Sequence, residues 1–355
     1  MHALTNVKVT RDDARWEAEV RAEIPTEILA RYRAEALKEI QKTAKLDGFR
    51  PGKAPESRII EVYGEDAILR KAAENAVQKE LPELLAVENL PIVDTPKVTI
   101  DTLHSGAPLS FTARAALAPN IELADYKKIA AKHPPVGDAE TAVSDDEHVQ
   151  ALTHLRRERV RIEKIESGVE PNKAHEESRA TADKDIPPLD DAFVQALGYE
   201  NIEAFSNKLR ENIKTEKGLQ AQEKRRAAIL DDLVKESTIS YPVLLREYEL
   251  NDMEARMTDD LARGGATFEQ HLTQIKKTRE EIRAGWREAA DKRAKVRLIL
   301  GEIARKESVE ANPERLAHEL EHAKKHYSQA DPAALRAHIA HALRNDAVLK
   351  LLENI

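Results

Sequence analysis

Apolar positions along the chain follow two periods, and the change from one to the other divides it. Between Arg15 and Ile24 the period is two: Trp16, Ala18, Val20, Ala22 and Ile24 fall on one side and charged residues lie between them. That alternation predicts a half-buried strand, with Val7 and Val9 on its partner. After Pro25 the spacing becomes three and four. Ile28, Leu29, Tyr32, Ala36 and Ile40 predict a helix that runs to about Leu46, with proline at its opening. Further helices are expected over Glu56–Tyr63 and Glu65–Glu88, and strands over Ile92–Asp101 and Leu109–Leu117. Strands at both ends of a segment and helices in its middle predict helices packed on an antiparallel sheet.

The pattern lapses beyond residue 118. Pro134-Pro135 and Gly137 read as linker, and Asp145–Glu166 as a charged helix whose sparse stripe is Val149, Leu152, Leu155 and Ile162. Ser167 to Lys184 shows no apolar periodicity and is expected to be loop. From residue 186 on every apolar run has helical spacing. One long helix carries Phe205, Leu209 and Ile213 to about Val234. A second opens at Pro242, carries Leu250, Met253, Met257 and Leu261, and stops at Gly264-Gly265. Thr267 with Gln270 forms a capping box for a third long helix bearing Leu272, Ile275, Ile282, Trp286, Val296, Ile299 and Ile303. Asn312-Pro313 and Asp331-Pro332 start two shorter ones. The expected organisation is multidomain α+β: an α+β domain over 1–118, a linker with a charged helix over 119–185, and an elongated all-α domain over 186–355.

Composition narrows the function classes. Aromatics make up 4% of the chain and charged residues 34%. That balance favours extended helical modules with thin cores over one large globule. A net charge of -8 argues against a nucleic-acid-binding polycation, so any RNA contact must come from a local basic patch. The absence of cysteine removes disulfides and thiolate chemistry. The opening residues have no signal-peptide character and no apolar window reaches membrane-spanning length, so a cytoplasmic chain with no membrane partner is expected. No Walker loop or GxGxxG is present, and no cofactor is expected.

One segment carries specific information. Between the first two predicted helices stands Leu46-Asp47-Gly48-Phe49-Arg50-Pro51-Gly52-Lys53-Ala54-Pro55. Its two glycines and two prolines make a stiff turn between the helices. Lys42, Lys45, Arg50, Lys53 and Arg58 surround Phe49, against Asp47 and Glu56. A loop tip with one aromatic anchor among cations suits docking on an RNA–protein surface. The alternative is a helix connector whose Phe49 turns back into the core.

The string Gly48-Phe49-Arg50-Pro51-Gly52-Lys53-Ala54-Pro55 resembles the signature loop of the trigger factor family. The likeness continues in Ile186-Pro187-Pro188-Leu189-Asp190-Asp191-Ala192-Phe193 with Leu197-Gly198, in Leu233-Val234-Lys235 through Tyr241-Pro242, and in Leu300-Gly301-Glu302-Ile303-Ala304. The resemblance implies an ATP-independent chaperone that docks beside the ribosomal exit tunnel, on protein and rRNA, through Gly48, Phe49, Arg50, Pro51, Gly52 and Lys53. It further implies a helical body with two arms that holds nascent chains; a weak homodimer off the ribosome is left open. In most of the family an FKBP-type prolyl isomerase domain follows the linker. Here only Ser167 to Asp185 occupies that place, without a Phe, Tyr or Trp, so the isomerase activity is not expected.

Met253 and Met257 are candidate client contacts, because thioether side chains adapt to varied apolar partners; packing between arm helices is the competing reading. His318-Glu319-Leu320-Glu321-His322 has the letters of an H-E-x-x-H zinc helix. Its apolar stripe, Leu316, Leu320, Ala323 and Tyr327, leaves the histidines on the flank and supplies no third ligand, so a surface row is favoured over a metalloprotease. A free cytosolic holdase or assembly chaperone without ribosome docking is the other alternative.

Overall fold

The computed structural model describes residues 3–44, 46, 49–50, 52–327 and 331–355. The chain divides into two compact units, Met1–Leu123 with Ser237–Glu302 and Ala124–Glu236 with Ile303–Ile355.

The first unit begins with strands β1 (Thr5–Asp12) and β2 (Glu17–Ile24), then helices α1 (Thr26–Thr43), α2 (Glu56–Tyr63) and α3 (Glu65–Val87), then strands β3 (Lys97–Thr102) and β4 (Leu109–Ala116). The four strands form an antiparallel sheet in the order β1-β2-β4-β3. The period-two face of β2 is buried as expected: Ala18, Val20, Ala22 and Ile24 lie beside Leu109, Phe111, Ala113 and Ala115 of β4, with Val20 opposite Ala113 and Ala22 opposite Phe111. On this face pack Leu29, Tyr32 and Ala36 of α1 and Leu69, Ala72, Ala73, Ala76, Leu81 and Leu84 of α3. The spacing of three and four that marked these helices is the spacing of their buried stripe. Polar residues secure the layer at its margins. The Tyr32 hydroxyl donates to Glu80 at 2.6 Å, and the Arg33 guanidinium donates to Glu65 at 2.5 and 2.8 Å. The Arg33 hydrogen bond holds the Glu65 carboxyl below its ordinary range, against the opposing effect of desolvation.

Two sequence expectations shift here. Trp16 leaves the strand for the β1–β2 turn, with φ of 56°, and its indole N–H donates to the Ala118 carbonyl at 2.8 Å. The strand expected from Ile92 starts only at Lys97. Pro91 and Pro96 cannot donate to a ladder, and Ile92 makes one isolated bridge to Leu117.

Short strands β5 (Asn120–Glu122) and β6 (Thr238–Ser240) pair and lead into α10 (Val243–Arg263), α11 (Phe268–Ile275) and α12 (Arg279–Lys306). The third long helix expected after Thr267 is in fact two. Its capping box is present, but α11 ends after two turns at Lys276, in the left-handed region with φ of 53°. A second box follows at once. The Thr278 hydroxyl accepts from the Glu281 N–H at 3.2 Å, while the Thr278 N–H donates to the Glu281 carboxylate at 2.8 Å. Each group thus satisfies a backbone donor that the first turn of a helix leaves open. Phe268 is buried.

In the second unit, α4 (Tyr126–Lys132) and α5 (Asp138–Thr141) precede α6 (Asp145–Glu166). Helix α6 starts on a Ser144–Glu147 capping box and has the span expected, although its stripe does not: Val149 and Ile162 are exposed, and the buried residue is His148, hydrogen-bonded to Ser206 at 3.0 Å. The expected loop over 167–184 is instead α7 (Pro171–Ala180) followed by a 3-10 turn, Asp183–Asp185. Arg157 secures it by donating to the carbonyls of Ser178 and Arg179 at 3.0 and 2.7 Å. Helices α8 (Asp191–Ala196), α9 (Ile202–Glu236), α13 (Pro313–His326) and α14 (Pro332–Glu353) complete the unit. Arg225 joins α9 to α14 by donating to the Glu353 carbonyl at 2.6 Å, and Arg226 pairs with the Glu353 carboxylate at 2.6 Å.

Candidate functional site

The loop between α1 and α2 is built from fixed feet and an exposed tip. Ala44 and Ala54 are buried with Leu37, Ile59 and Ile68 in a small cluster of their own, with Ile40, Leu46 and Ile60 packed against it. Gln41 braces both sides. Its carbonyl accepts from the Gly52 N–H at 3.0 Å, and its side-chain amide donates to the Ala54 carbonyl. The Phe49 N–H donates to the Leu46 carbonyl at 3.1 Å and the Lys53 N–H to the Arg50 carbonyl at 3.0 Å. Gly52 has φ of +78°, and the space around it is open. That conformation is costly for any side chain.

On this frame Phe49 is 39% exposed, and Arg50, Lys53 and Lys42 are exposed. Arg58, also exposed, pairs with Glu61 at 2.6 Å. Of the loop residues singled out by sequence, Gly48 and Pro51 lie outside the described residues, as do Lys45 and Asp47 of the surrounding charge pattern. The backbone closure through Gln41 has no signal in the sequence, since a lone polar residue on a helix flank carries no pattern.

A second surface lies on the arm formed by α10 and the facing stretch of α12. Met253, Met257 and Leu261 of α10 and Trp286 of α12 are all half-buried and line an open depression of about 490 Å³, rimmed by Arg256 and Asp260. Trp286, which the sequence places only among the apolar positions of a long helix, is the aromatic wall of this depression. The arm is held together beside it by ion pairs. Arg283 of α12 donates to Glu254 and Glu247 at 2.9 Å each, Arg293 donates to Glu249 at 3.0 Å and Asp252 at 2.7 Å, and Arg297 donates to Glu249 at 3.1 Å. Glu249 is buried, and its carboxylate charge is met by two guanidiniums.

The histidine row on α13 stays on the surface. His318 and His322 are exposed, and among the described residues no group of three or more His, Cys, Asp or Glu is placed to hold a metal ion. Tyr327, expected in the apolar stripe, is exposed beyond the end of α13. Among the described residues no helix is long and apolar enough to cross a membrane.

Sequence comparisons agree with this arrangement. The sequence model of the bacterial trigger factor protein matches residues 5–152, and that of the trigger factor C-terminus matches residues 201–354. Between the two matches lie the end of α6, α7 and α8. A trigger factor from Caldicellulosiruptor bescii is 26% identical, with 81% of each chain covered. One from Koribacter versatilis is 25% identical, with 94% of this chain and 93% of that one covered. Among solved structures, one reported for promiscuous substrate recognition in the folding and assembly activities of the trigger factor chaperone has the same fold, with a TM-score of 0.54 at 16% identity over 99% of both chains. The chain therefore belongs to the trigger factor family of ribosome-associated chaperones, in a form that carries the N- and C-terminal parts without an isomerase domain between them.

Proposed function

We propose that this chain docks on the ribosome near the polypeptide exit tunnel through Gly48, Phe49, Arg50, Pro51, Gly52 and Lys53, and that it holds nascent chains on its helical part without ATP. The observation that carries the reading is the exposed Phe49, followed in the same loop by the exposed Arg50 and Lys53, with the feet of the loop buried. An aromatic side chain fills an apolar pocket at low entropic cost, and the flanking cations find phosphate and carboxylate. Residues 1–118 dock, 119–185 link and 186–355 hold. The holding surface includes Met253 and Met257, whose flexible thioethers adapt to unlike apolar segments. Many shallow contacts of this kind give binding in the micromolar range, about 8 kcal/mol, and release follows when the client buries its own apolar surface.

In this reading the chain is cytoplasmic, partly ribosome-bound, and associates weakly with itself when free. The family's prolyl isomerase activity is not expected of it; residues 167–185, where that domain would stand, hold one short helix and a 3-10 turn, and a proline-limited refolding assay is expected to show no acceleration. Co-sedimentation with bacterial ribosomes tests the docking step. The intact chain is expected to pellet, and the Phe49→Ala/Arg50→Ala/Lys53→Ala variant to remain in the supernatant with unchanged helicity. Equal pelleting of both would remove the loop from the docking surface.

A further inference from the structure

The histidines of α13 recur at a spacing of four: His318, His322 and His326. Residues at i and i+4 are neighbours on a helix surface, so the row offers two overlapping pairs, His318 with His322 and His322 with His326. The letters H-E-x-x-H select the first pair, but the structure brings together the second. The His322 and His326 rings have their centroids 5.1 Å apart and are tilted by 44° to one another. The His318 side chain is 81% exposed and lies 4.0 Å from the Glu319 carboxylate instead.

That separation has a chemical meaning. Two imidazoles that share one metal ion at about 2.1 Å, with bond angles of about 90–109°, have ring centroids about 4.6–5.3 Å apart. His322 and His326 stand within that range, and their tilt is not that of stacked rings. Both side chains are exposed, and among the described residues no hydrogen bond or ion pair holds either ring, so their nitrogens are open to a ligand. His341 of α14 differs, since it lies 3.4 Å from the Asn345 amide. The pair lines the groove between α13 and α14, an open depression of about 760 Å³ with Ala323, Ile339 and Leu343 among its walls. Glu319 lines the same groove and sets a carboxylate on the side of the pair, against the positive charges of Lys324 and Lys325.

We infer that His322 and His326 together chelate one divalent transition ion of the late first row, Zn²⁺, Ni²⁺ or Cu²⁺, each through one ring nitrogen, with water in the remaining positions. Imidazole suits these ions, whereas Mg²⁺ and Ca²⁺ take oxygen ligands. No third protein ligand is placed on the pair among the described residues, so the ion is exchangeable, unlike that of a closed structural zinc site. Binding also ties one turn of helix to the next, because the spacing of the two ligands exists only while the helix does. The turn so tied is the last of α13, where the Tyr327 N–H donates to the Ala323 carbonyl at 2.9 Å. This site is independent of docking and holding, and adds a metal-binding activity to the helical part of the chain.

The test is a titration of the full, untagged chain with Ni²⁺ and Zn²⁺ in competition with a chromophoric chelator, together with hydrogen exchange over α13. The intact chain is expected to take up one equivalent of either ion and no Mg²⁺. His322→Gln and His326→Gln are each expected to weaken binding by about tenfold or more, since a single imidazole remains. His318→Gln and His338→Gln are expected to leave the affinity unchanged. All four positions are exposed, so the variants should keep the fold. The ion is expected to slow exchange in the last turn of α13 in the intact chain and to leave it unaltered in His326→Gln. Absence of uptake overturns the assignment, and so does uptake that His326→Gln does not weaken. Loss in His318→Gln with binding kept in His326→Gln would move the ion to the H-E-x-x-H pair, and loss in His338→Gln would make the site one between helices. Either result overturns the pair proposed. Uptake of several equivalents by every variant would mean scattered surface binding and would equally overturn it.

Discussion

The N-terminal layer and the α10–α12 arm solve the same problem, the joining of helices to a partner surface, with opposite chemistry. In the layer, large apolar side chains such as Phe111, Ile24, Leu84 and Leu109 are fully buried, and charge is confined to the margins. In the arm, the contact is a ladder of guanidinium–carboxylate pairs with a buried Glu249 at its centre, and the methionines and Trp286 are left half-buried. Apolar packing is short-ranged and sensitive to shape, so the layer is a rigid base for the loop proposed to dock. Ion pairs need fewer apolar atoms, so the arm keeps some of its apolar side chains available to bind something else. In the proposed function, docking and holding therefore rest on different physical supports.

The comparison is sharpest where the two supports are damaged in turn. Phe111 is fully buried in the N-terminal layer. Phe111→Ala should cost that layer about 3–5 kcal/mol, the usual range for emptying such a site, and thermal or urea unfolding would read the loss. A loss under about 1 kcal/mol would mean that the layer is not packed as described. Arg293 and Arg297 share the Glu249 carboxylate. Glu249→Gln should destabilise the arm by about 1–3 kcal/mol, because Arg297 loses its carboxylate partner and Arg293 keeps only Asp252. Hydrogen exchange over α10 and α12 would detect it, and salt should weaken the intact arm more than the layer, since partly exposed pairs are screened.

A smaller effect concerns the loop. Gly52→Ala should cost about 1 kcal/mol through backbone strain at a positive φ, without any steric clash. Gly52→Asn, which tolerates that region better, should cost less. Acid sensitivity is the mildest expectation. Lys217, with Ser144, holds the Glu147 carboxyl at about 2 rather than 4.5. A depressed value means stability that is complete above the ordinary range and lost as the pH falls from 4.5 toward about 2. The α6–α9 contact should weaken in that window, and Glu147→Gln should flatten the acid limb of an ellipticity titration.

How far the sequence discloses this molecule depends on whether the determining contact is local. Helix α6 has the expected span because its cap, Ser144 with Glu147, lies within its own first turn. Helix α7 is not legible, because its apolar pattern is weak and it is secured by Arg157, distant in sequence, through backbone carbonyls. The break between α11 and α12 is legible in principle, since Thr278 and Glu281 have the spacing of a capping box. The apolar positions run on through Lys276, and periodicity alone reads across the break. In the candidate site, Phe49, Arg50 and Lys53 are legible because a glycine–proline turn isolates them from any helix face. The bracing by Gln41 and the place of Trp286 are not, since both depend on which element lies opposite.

The division between docking and holding is tested most directly by a crossed pair of variants measured in two assays. Phe49→Ala/Arg50→Ala/Lys53→Ala is expected to lose ribosome co-sedimentation and to keep its capacity to suppress aggregation of an unfolded protein in free solution. Met253→Ser/Met257→Ser is expected to pellet with ribosomes as the intact chain does and to suppress aggregation several-fold less well. Loss of both activities in either variant would contradict the account, because docking and holding would then share one surface.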